Sequence, residues 1–453
     1  MINNFRKFIS KYLSIYIQDF LKGTYINKSY KNLLISQNWS EQKMNNYQLK
    51  KLQDLFEFCV LSNDFYKKKY KDLSDAKFKI NDLSDLRKLP ILKKEDLRLN
   101  SLLSKNLNMR FVSSAKTGGS TGPPTVIYKD IHTRSIAWGA WFRWYNWIGI
   151  ERGDPCMTLW GSSQVLSRSF YLKIYNRIIS FLENDYRVNS FKINNSTINK
   201  IIRNIFNYKP VIIKGYLSAI LQLADHIKSK KINYNPKCIS TTSETLLPPY
   251  KEYIQKTFNC PVYDQYASTE ISGVAFECKA QNGLHITSEH VIVEVVDDNN
   301  QPVFNKKGRI IITDLDNKAM PFIRYEIGDV GILSTETCSC GNKSYLLKSI
   351  EGRLADNIVL KDGSQVHGVF FTDIMYELKS EFNFNRISRF QAVQNKKGFL
   401  EFRLETTIKH DHDYCINLKN ALLSFFHSVE IKTFKQLDNE PSGKFKYVIS
   451  NLK

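Results

Sequence analysis

From about residue 111 onward, short β-branched runs alternate with stretches of helical periodicity along this chain. Thr125–Tyr128, Pro210–Ile213 and Arg309–Thr313 are rich in strand-forming residues, and Ser218–Ser229 repeats its apolar residues at helical spacing. Alternating strands and helices are typical of α/β domains, in which helices cover the faces of a sheet. The pattern therefore predicts an α/β body. Further strands are predicted at Phe111–Ser113, Cys238–Ser240 and Pro261–Tyr263, and further helices at Phe142–Ile148, Ser196–Phe206 and Pro248–Thr257.

Changes in the predicted secondary structure along the chain indicate two domains. A helical start, residues 1–105, and the α/β body, residues 106–352, together form a large multi-layer N-terminal domain. Residues 353–453 carry elements of their own, which predict a second, smaller α+β domain. These elements are strands at Phe399–Glu405 and Val429–Thr433 and a helix near Tyr414–Phe426.

The spacing of apolar and basic residues predicts a basic amphipathic helix at the N-terminus. Apolar residues recur every three or four positions, with basic residues between them. The apolar positions are Ile2, Phe5, Ile9, Leu13, Ile17 and Phe20, and the basic ones are Arg6, Lys7, Lys11 and Lys22. Such a helix either packs its apolar stripe on the protein body or lies on an anionic membrane, and packing on the body is the favoured interpretation.

The composition narrows the class of protein. With 65 Lys and Arg against 44 Asp and Glu, the formal net charge is +21. Because this charge is spread along the chain without a zinc-finger, RNP or basic-zipper pattern, a solvated basic surface is favoured over nucleic-acid binding.

Eight cysteines in 453 residues are too sparse for a disulfide scaffold. Since no signal peptide opens the sequence and no apolar run approaches about 18 residues, we expect a cytoplasmic protein.

The sharpest local motif is a loop of glycines and hydroxyl residues between two predicted strands. It runs Lys116-Thr117-Gly118-Gly119-Ser120-Thr121-Gly122-Pro123-Pro124. Glycine lets the backbone approach a phosphate closely, and N–H and O–H groups donate hydrogen bonds to it. The loop is not a Walker A motif, because no Gly-Lys-Ser/Thr closes it. By itself it is either a phosphate-binding loop or a plain turn.

Four further motifs follow this loop in order. They are Tyr266-Ala267-Ser268-Thr269-Glu270, Met320–Asp329, Gly352–Asp356 and Pro441-Ser442-Gly443-Lys444. The ordered set resembles the core motifs of the adenylate-forming superfamily of acyl-CoA synthetases and nonribosomal adenylation domains. More narrowly, the chain is similar to the phenylacetate–CoA ligase family, especially its branch associated with capsule and surface-polysaccharide gene clusters. The resemblance runs nearly end to end, and it implies an adenylate-forming N-terminal domain with a small mobile C-terminal lid.

The resemblance assigns nucleotide contacts to residues of this chain. The glycine loop would embrace the β- and γ-phosphates of ATP through Thr117, Gly118, Gly119, Ser120, Thr121 and Gly122. Many family members carry a lysine in this loop where the present chain has Pro123 or Thr125. Glu270 would bind Mg²⁺, Thr269 the α-phosphate and Tyr266 the adenine. A turn at Ser243-Glu244-Thr245 would contact the adenine as well, and Asp329 and Arg353 would bind the ribose.

The same resemblance makes Lys444 the catalytic lysine of the lid. Attack of a carboxylate on the α-phosphate builds negative charge, which a positioned ammonium stabilises. The alternative is an exposed lysine in a basic tail, with Lys446 two residues away. The hinge of the lid would lie at Arg353–Asp356, although the hinge position of relatives is Ala355 here, with Asp356 next.

A cysteine and histidine set predicts a structural zinc site. Cys278 and His285 are followed by Cys338 and Cys340, and three thiols with one imidazole are sufficient for a closed tetrahedral site. Family members also carry this Cys…Gly-Leu-His…Cys-x-Cys-Gly arrangement. The site would tie loops near the nucleotide and would not be catalytic.

The predicted activity is therefore ATP- and Mg²⁺-dependent activation of a carboxylic acid, followed by transfer to a thiol, most simply that of coenzyme A. One alternative is transfer to an amine or hydroxyl of a sugar precursor. Another is a catalytically inactive nucleotide-binding scaffold, suggested only by Ala355 and the missing loop lysine. The aromatic run Trp138–Trp147 is either an acid pocket or, as its helical spacing favours, core. The oligomeric state and the acid are left open.

Overall fold

The architecture comes from a computed structural model of the 453-residue chain. It describes residues 2–75, 77–99, 102–105, 108–116, 125–160, 170–189, 195–353, 358–363, 365–366, 370–371, 374–375, 378, 387–406, 412–438 and 445–452. The helices of these residues are α1 (Ile2–Tyr12), α2 (Ser14–Lys22), α3 (Ile26–Ser36), α4 (Glu41–Ser62), α5 (Asp64–Lys69), α6 (Lys71–Asp75), α7 (Ile131–Trp147), α8 (Phe170–Leu182), α9 (Asn195–Tyr208), α10 (Leu217–Ser229), α11 (Pro248–Phe258) and α12 (Asp413–Leu423). The strands are β1 (Ser113–Lys116), β2 (Val126–Lys129), β3 (Cys156–Trp160), β4 (Asp185–Asn189), β5 (Ile212–Tyr216), β6 (Cys238–Thr242), β7 (Val262–Tyr266), β8 (Ala275–Glu277), β9 (Leu284–Ile286), β10 (Val291–Val296), β11 (Lys307–Asp314), β12 (Tyr325–Ser334), β13 (Leu346–Arg353), β14 (Ile358–Val359), β15 (Gln365–Val366), β16 (Ile387–Gln394), β17 (Phe399–Thr406), β18 (Ser428–Phe434) and β19 (Val448–Ser450).

The chain forms two compact units built from interleaved segments. The first unit contains Met1–Asp154, Ile178–Asn184 and Tyr263–Ile350, and the second contains Pro155–Arg177, Asp185–Val262 and Glu351–Lys453. The α/β prediction is confirmed, and a separate small sheet lies in the C-terminal residues. The predicted domain division at residues 352 and 353 stays a prediction.

The sheet strands of the first unit pair antiparallel at β10–β11, β11–β12, β13–β9, β9–β8 and β8–β7, and helices cover them. Its strands follow the order β10-β11-β12-β13-β9-β8-β7. Helix α4 buries Leu52, Leu55 and Cys59 in the same core as the sheet residues Ile310 and Ile312. Burial of these aliphatic side chains is the main force that holds the helix on the sheet.

Helix α7 decides between the two interpretations of the aromatic run. It is longer than the predicted Phe142–Ile148, because Asp130 caps its N-terminus by accepting from the backbone N–H groups of His132 and Thr133. Trp144 is fully buried, and its indole N–H donates to the carbonyl oxygen of Glu277 at 2.8 Å. The core interpretation therefore holds for Trp144.

In the second unit, β6, β5, β3 and β4 form a parallel sheet in that order. Gly215 on β5 allows close strand packing, because a Cβ atom there would lie 2.4 Å from the carbonyl oxygen of Leu159. Strands β5 and β6 are buried along their whole length, as is typical of parallel strands that are covered on both faces.

A four-stranded sheet, β18-β17-β16-β19, makes up the C-terminal part of the second unit. Its residues share one hydrophobic core with α10 and α11 of the same unit. Tyr447 illustrates the packing, since its ring centroid lies 5.5 Å from that of Tyr250 on α11.

The N-terminal helices differ from the favoured prediction. Of the predicted apolar stripe, Phe5, Leu13, Ile17 and Phe20 are exposed and do not pack on the protein body. The buried side carries Ser10, Ser14, Gln18 and one large apolar residue, Ile15. The periodicity of a sequence shows that apolar residues share one face of a helix, but it does not show whether that face is turned toward the protein or toward solvent. The favoured prediction was therefore wrong about the direction of this face. Within the described residues, no helix is long and apolar enough to cross a bilayer.

Candidate functional site

Two of the predicted nucleotide residues meet in the first unit. Tyr266 ends β7, Asp329 lies on β12, and the Tyr266 hydroxyl donates to Asp329 Oδ2 at 2.6 Å. The Tyr266 ring is buried in the core, while the Asp329 side chain is only partly buried. The tyrosine therefore holds one carboxylate oxygen of Asp329 in place.

The loop after β7 carries the predicted magnesium ligand. Ser268 Oγ accepts from the backbone N–H of Ile271 at 3.0 Å, which forms a local turn around Thr269 and Glu270. The Tyr325 hydroxyl, at the start of β12, donates to Glu270 Oε1 at 3.3 Å. Two tyrosines thus orient the two carboxylates that the sequence assigned to ribose and to Mg²⁺.

Arg324, in the same motif as Asp329, has a structural role. It is buried, adopts a left-handed φ of 50°, and forms a bidentate ion pair with Glu294 at 3.0 and 3.1 Å. Its guanidinium also donates to the carbonyl oxygens of Arg87 and Leu89. Since its donors are occupied within the protein, Arg324 is a positioning residue for this motif and not a ligand contact.

Lys129 is a cation that the sequence analysis missed. It ends β2, the strand that follows the glycine loop, and its Nζ donates to Ser272 Oγ at 2.5 Å. Burial lowers the pKa of Lys129 to about 8, although the charges of Asp314 and Glu270 act in the opposite direction. The sequence separation of Lys129 and Ser272 hides this contact from any local pattern, and only the position of the lysine after the loop hinted at it.

A neighbouring histidine and aspartate cluster is structural. His290 donates or accepts at both ring nitrogens, with Asp316 Oδ2 at 2.8 Å and the Ser272 carbonyl oxygen at 3.1 Å. Burial alone would lower the pKa of His290, but Asp314 and Asp316 outweigh it and raise that pKa. Lys51 also binds Asp316 at 2.6 Å. Because both ring nitrogens of His290 are engaged by protein atoms, this cluster is a hydrogen-bond network.

The turn at Ser243-Glu244-Thr245 belongs to the second unit. Ser243 has a left-handed φ of 70°, as expected of a tight turn. Glu244 accepts from the backbone N–H of Ser218 at 2.6 Å and from the Ser218 hydroxyl at 2.9 Å, which caps α10. The same carboxylate accepts from the backbone N–H of Phe445 at 2.8 Å. Phe445 directly follows Lys444 in the chain, so Glu244 fixes one end of the segment that carries the predicted catalytic lysine.

Other predicted residues lie outside the described residues. These are Thr117 to Gly122 of the glycine loop, Lys444, and Ala355 and Asp356 of the hinge. The backbone of Arg353 ends β13, and its contact with ribose stays a prediction. The same holds for the adenine contacts of Tyr266 and of the turn at Ser243-Glu244-Thr245.

Two aromatic rings meet at the carboxyl ends of parallel strands in the second unit. The ring centroids of Trp160, at the end of β3, and Tyr216, at the end of β5, lie 4.8 Å apart. Lys214, also on β5, is buried, and its Nζ lies 3.6 Å from Asp185 Oδ2. Because ligands of α/β sheets bind near the carboxyl ends of the strands, these rings are candidates for a wall of an acid pocket.

The four predicted zinc ligands converge in the first unit. The ligand atoms of Cys278, His285, Cys338 and Cys340 all lie within 4.8 Å of one another. Cys278 Sγ and Cys338 Sγ are 3.6 Å apart, and Cys340 Sγ is 3.2 Å from His285 Nε2. Two sulfurs on one tetrahedral zinc lie about 3.8 Å apart, because the Zn–S bond is about 2.3 Å. The donor set therefore fits zinc.

The surroundings of the histidine suit a metal ligand. His285 Nδ1 lies 3.0 Å from Ser344 Oγ, which leaves Nε2 directed at the thiols. Burial, together with the charge of Arg143, lowers the pKa of His285 to about 4, so the imidazole is neutral near pH 7. Gly283 allows the close approach of this loop to β13, since a Cβ atom there would lie 2.8 Å from the carbonyl oxygen of Leu347.

Comparison with known proteins supports the resemblance drawn from the motifs. No family model matches the chain. Protein CapK of Staphylococcus aureus is 24% identical over 423 residues, which is 90% of this chain and 89% of that protein. The phenylacetate-coenzyme A ligase of Thermus thermophilus is 24% identical over 388 residues, 80% of each chain.

The fold is that of adenylate-forming CoA ligases. A 2-hydroxyisobutyryl-CoA ligase, solved in the postadenylation state with an acyl-adenylate, superposes with a TM-score of 0.72 at 17% identity over 91% of both chains. The amide bond synthetase McbA of Marinactinospora thermotolerans matches with a TM-score of 0.51 at 13% identity, over 74% of this chain and 67% of that one. The resemblance predicted from the motifs agrees with these relatives, and the predicted adenylate-forming fold is confirmed.

Proposed function

Since the chain is a relative of the phenylacetate-CoA ligases, we propose that it activates a carboxylic acid with ATP and Mg²⁺ and transfers the acyl group to a thiol. The thiol is most simply that of coenzyme A. In the first step a carboxylate oxygen attacks the α-phosphorus of ATP, and pyrophosphate leaves as the bond to the β-phosphate breaks. In the second step the thiol attacks the acyl carbon of the adenylate, and AMP leaves.

The observation that carries this proposal is the pair of oriented carboxylates in the first unit. Glu270, held by Tyr325, is the proposed Mg²⁺ ligand, because a hard cation takes carboxylate oxygen. Asp329, held by Tyr266, is the proposed acceptor for ribose hydroxyl groups. Bound Mg²⁺ would neutralise phosphate charge, and Lys129 adds a cation of the protein beside Glu270.

Three further groups complete the proposal from the motifs. Thr117 to Gly122 would donate to the phosphates, Thr269 would bond the α-phosphate, and Lys444 would stabilise the negative charge of the attacking step. Arg353 and the Ser243–Thr245 turn are proposed to contact the nucleoside. The small C-terminal domain would turn about Arg353–Asp356 between the two half-reactions.

The first experiment is pyrophosphate exchange into ATP with Mg²⁺, measured over a panel of aryl, fatty and amino acids. We expect exchange with one class of acid and a loss of about a hundredfold or more in Lys444→Ala, as is typical when a charge-stabilising group is removed. Lys446→Ala is the matched control, because it removes a lysine two residues away, and it should keep wild-type exchange. Exchange with no acid, together with no ATP binding by calorimetry, contradicts the proposal, whereas ATP binding without exchange favours the inactive nucleotide-binding scaffold.

The acyl acceptor has one alternative. The amide bond synthetase shares this fold, and an amine or hydroxyl of a sugar precursor of a surface polysaccharide could receive the acyl group in place of a thiol. Adding coenzyme A to the exchange-competent enzyme distinguishes the two. Thioester formation supports the CoA reaction, whereas acyl-adenylate that accumulates without thioester supports the other acceptor.

We further propose that Cys278, His285, Cys338 and Cys340 hold a structural Zn²⁺. The convergence of three thiols and a neutral imidazole supports this proposal. A site closed by four protein ligands has no open position for substrate, so its contribution would be to tie the loops around β8, β9 and β13.

A further inference from the structure

Helices α1 and α2 turn their apolar side toward solvent. Eight residues on this side, which we call the outer face, are each at least 36% exposed, and Phe20 reaches 87%. They follow the three- and four-residue spacing of a single helix face. The outer face consists of Phe5, Phe8, Tyr12, Leu13, Tyr16, Ile17, Phe20 and Leu21.

Polar and backbone contacts hold α1 on the first unit in this orientation. Lys7 pairs with Asp154 at 2.7 Å, and Lys11 pairs with Glu151 at 2.8 Å. Gly153, with a φ of +88°, lets the helix backbone approach so closely that a Cβ atom would lie 2.6 Å from the carbonyl oxygen of Lys7. The helix is therefore attached through its polar side, and its apolar side has no role in that attachment.

The outer face continues onto the end of α8. Ile178 and Phe181 are 50% and 40% exposed. The guanidinium of Arg6 donates to the carbonyl oxygen of Ser180 at 2.8 Å and lies 5.1 Å from the centre of the Phe181 ring. These contacts place the exposed apolar end of α8 beside α1, with the Arg6 cation against the Phe181 ring.

The two helices themselves carry more basic than acidic residues. Helices α1 and α2 carry Arg6, Lys7, Lys11 and Lys22 and one acidic residue, Asp19. The Asp19 carboxylate accepts from the Thr24 hydroxyl and from the backbone N–H of Ile26, so it serves the start of α3. Glu151 and Asp154 offset two of the lysines, and the whole chain has a net charge of +21.

We propose that the outer face docks on the surface of an anionic lipid bilayer. Phe and Tyr side chains bury their rings at the boundary of headgroups and acyl chains, and Lys and Arg beside them are attracted to anionic lipid. A second copy fits less well, because chains that each carry a net charge of +21 repel one another. The proposal goes beyond the reaction and does not depend on it.

Co-sedimentation with vesicles tests the proposal with the full chain. We expect binding to mixed phosphatidylglycerol and phosphatidylcholine vesicles, weaker binding to phosphatidylcholine alone, and loss of the difference at high salt. Phe20→Glu should lower the bound fraction about tenfold, because it places a carboxylate in the apolar boundary. Leu61→Glu is the matched control, since Leu61 is 63% exposed on α4, and it should bind as the wild type does.

Two outcomes would overturn the proposal. The first is a wild-type protein that stays in the supernatant with both kinds of vesicle, or a Phe20→Glu variant that sediments as the wild type does. The second is a dimer seen by light scattering that Phe20→Glu dissolves without any vesicle binding, which would assign the outer face to a second copy. Equal melting temperatures of the two variants and the wild type ensure that the comparison is between folded proteins.

Discussion

Lys129 gives the free protein a cation whose charge depends on pH near neutrality. Because burial lowers its pKa to about 8, Lys129 is charged below that pH and becomes neutral as the pH rises through it. Phosphate binds the charged form, so ATP affinity should fall between about pH 7 and pH 9. Lys129→Met should weaken ATP binding about tenfold at pH 7 and remove much of this pH dependence, as measured by calorimetry.

Lys105→Met is a suitable comparison for Lys129→Met, because Lys105 is an exposed lysine that pairs with Asp64. It should leave both the ATP affinity and its pH profile unchanged. An unaltered affinity in Lys129→Met would show that the lysine serves only the hydrogen bond to Ser272.

At the scale of elements, the loops that carry Cys278, His285, Cys338 and Cys340 should depend on metal. Elemental analysis of the purified protein should give about one zinc per chain. Cys278→Ser should lose zinc and lower the melting temperature by roughly 5 °C or more, because metal binding contributes directly to folding free energy. A chelator should have the same effect on the wild type.

Cys260→Ser is the matched control for the metal, since Cys260 is a partly buried free cysteine outside the cluster. It should retain zinc and its response to the chelator. A wild-type protein without zinc that melts at the same temperature with and without chelator contradicts the zinc proposal.

The elements also explain what sequence could and could not predict. The cysteine cluster was accessible because its residue types are distinctive. Strand β7 was predicted at Pro261–Tyr263, three residues short of its end at Tyr266. Strand β12 was not predicted, because Gly328, Gly331 and two acidic residues interrupt its apolar pattern. The contacts of Lys129 and Glu244 were not predicted either, since they join residues 143 and 201 positions apart.

At the scale of the whole molecule, Glu244 links the body of the second unit to the segment that follows Lys444. In Glu244→Gln an NH2 group replaces one carboxylate oxygen, and it cannot accept the hydrogen bond that Ser218 or Phe445 donates. We expect adenylation to be about tenfold slower. Thioester formation from a preformed acyl-adenylate should keep its rate, because the lid would leave this position for the second step. The rates of the two steps are measured separately by single-turnover kinetics.

Ser218→Ala distinguishes the two contacts of Glu244. It removes the hydroxyl that helps to cap α10 and leaves the bond to the Phe445 backbone in place, so adenylation should stay near the wild-type rate. If Ser218→Ala slowed adenylation as much as Glu244→Gln does, the helix cap and not the link to Phe445 would be responsible. Weaker ATP binding in Glu244→Gln would instead support the predicted adenine contact.

The interleaving of the two units has a consequence for synthesis on the ribosome. Residues 1–154 of the first unit emerge before the strands β7 to β13 that cover them, which begin at Val262. At about 5–20 residues per second, the end of α7 waits roughly 6 to 23 seconds for β7 to begin, and the end of α4 waits about 10 to 40 seconds. During this interval Leu52 and Leu55 lack their partners in the sheet, and the Trp144 indole lacks the Glu277 carbonyl. The nascent chain therefore passes through a stage in which a chaperone can bind the apolar residues that the folded protein later buries in its core.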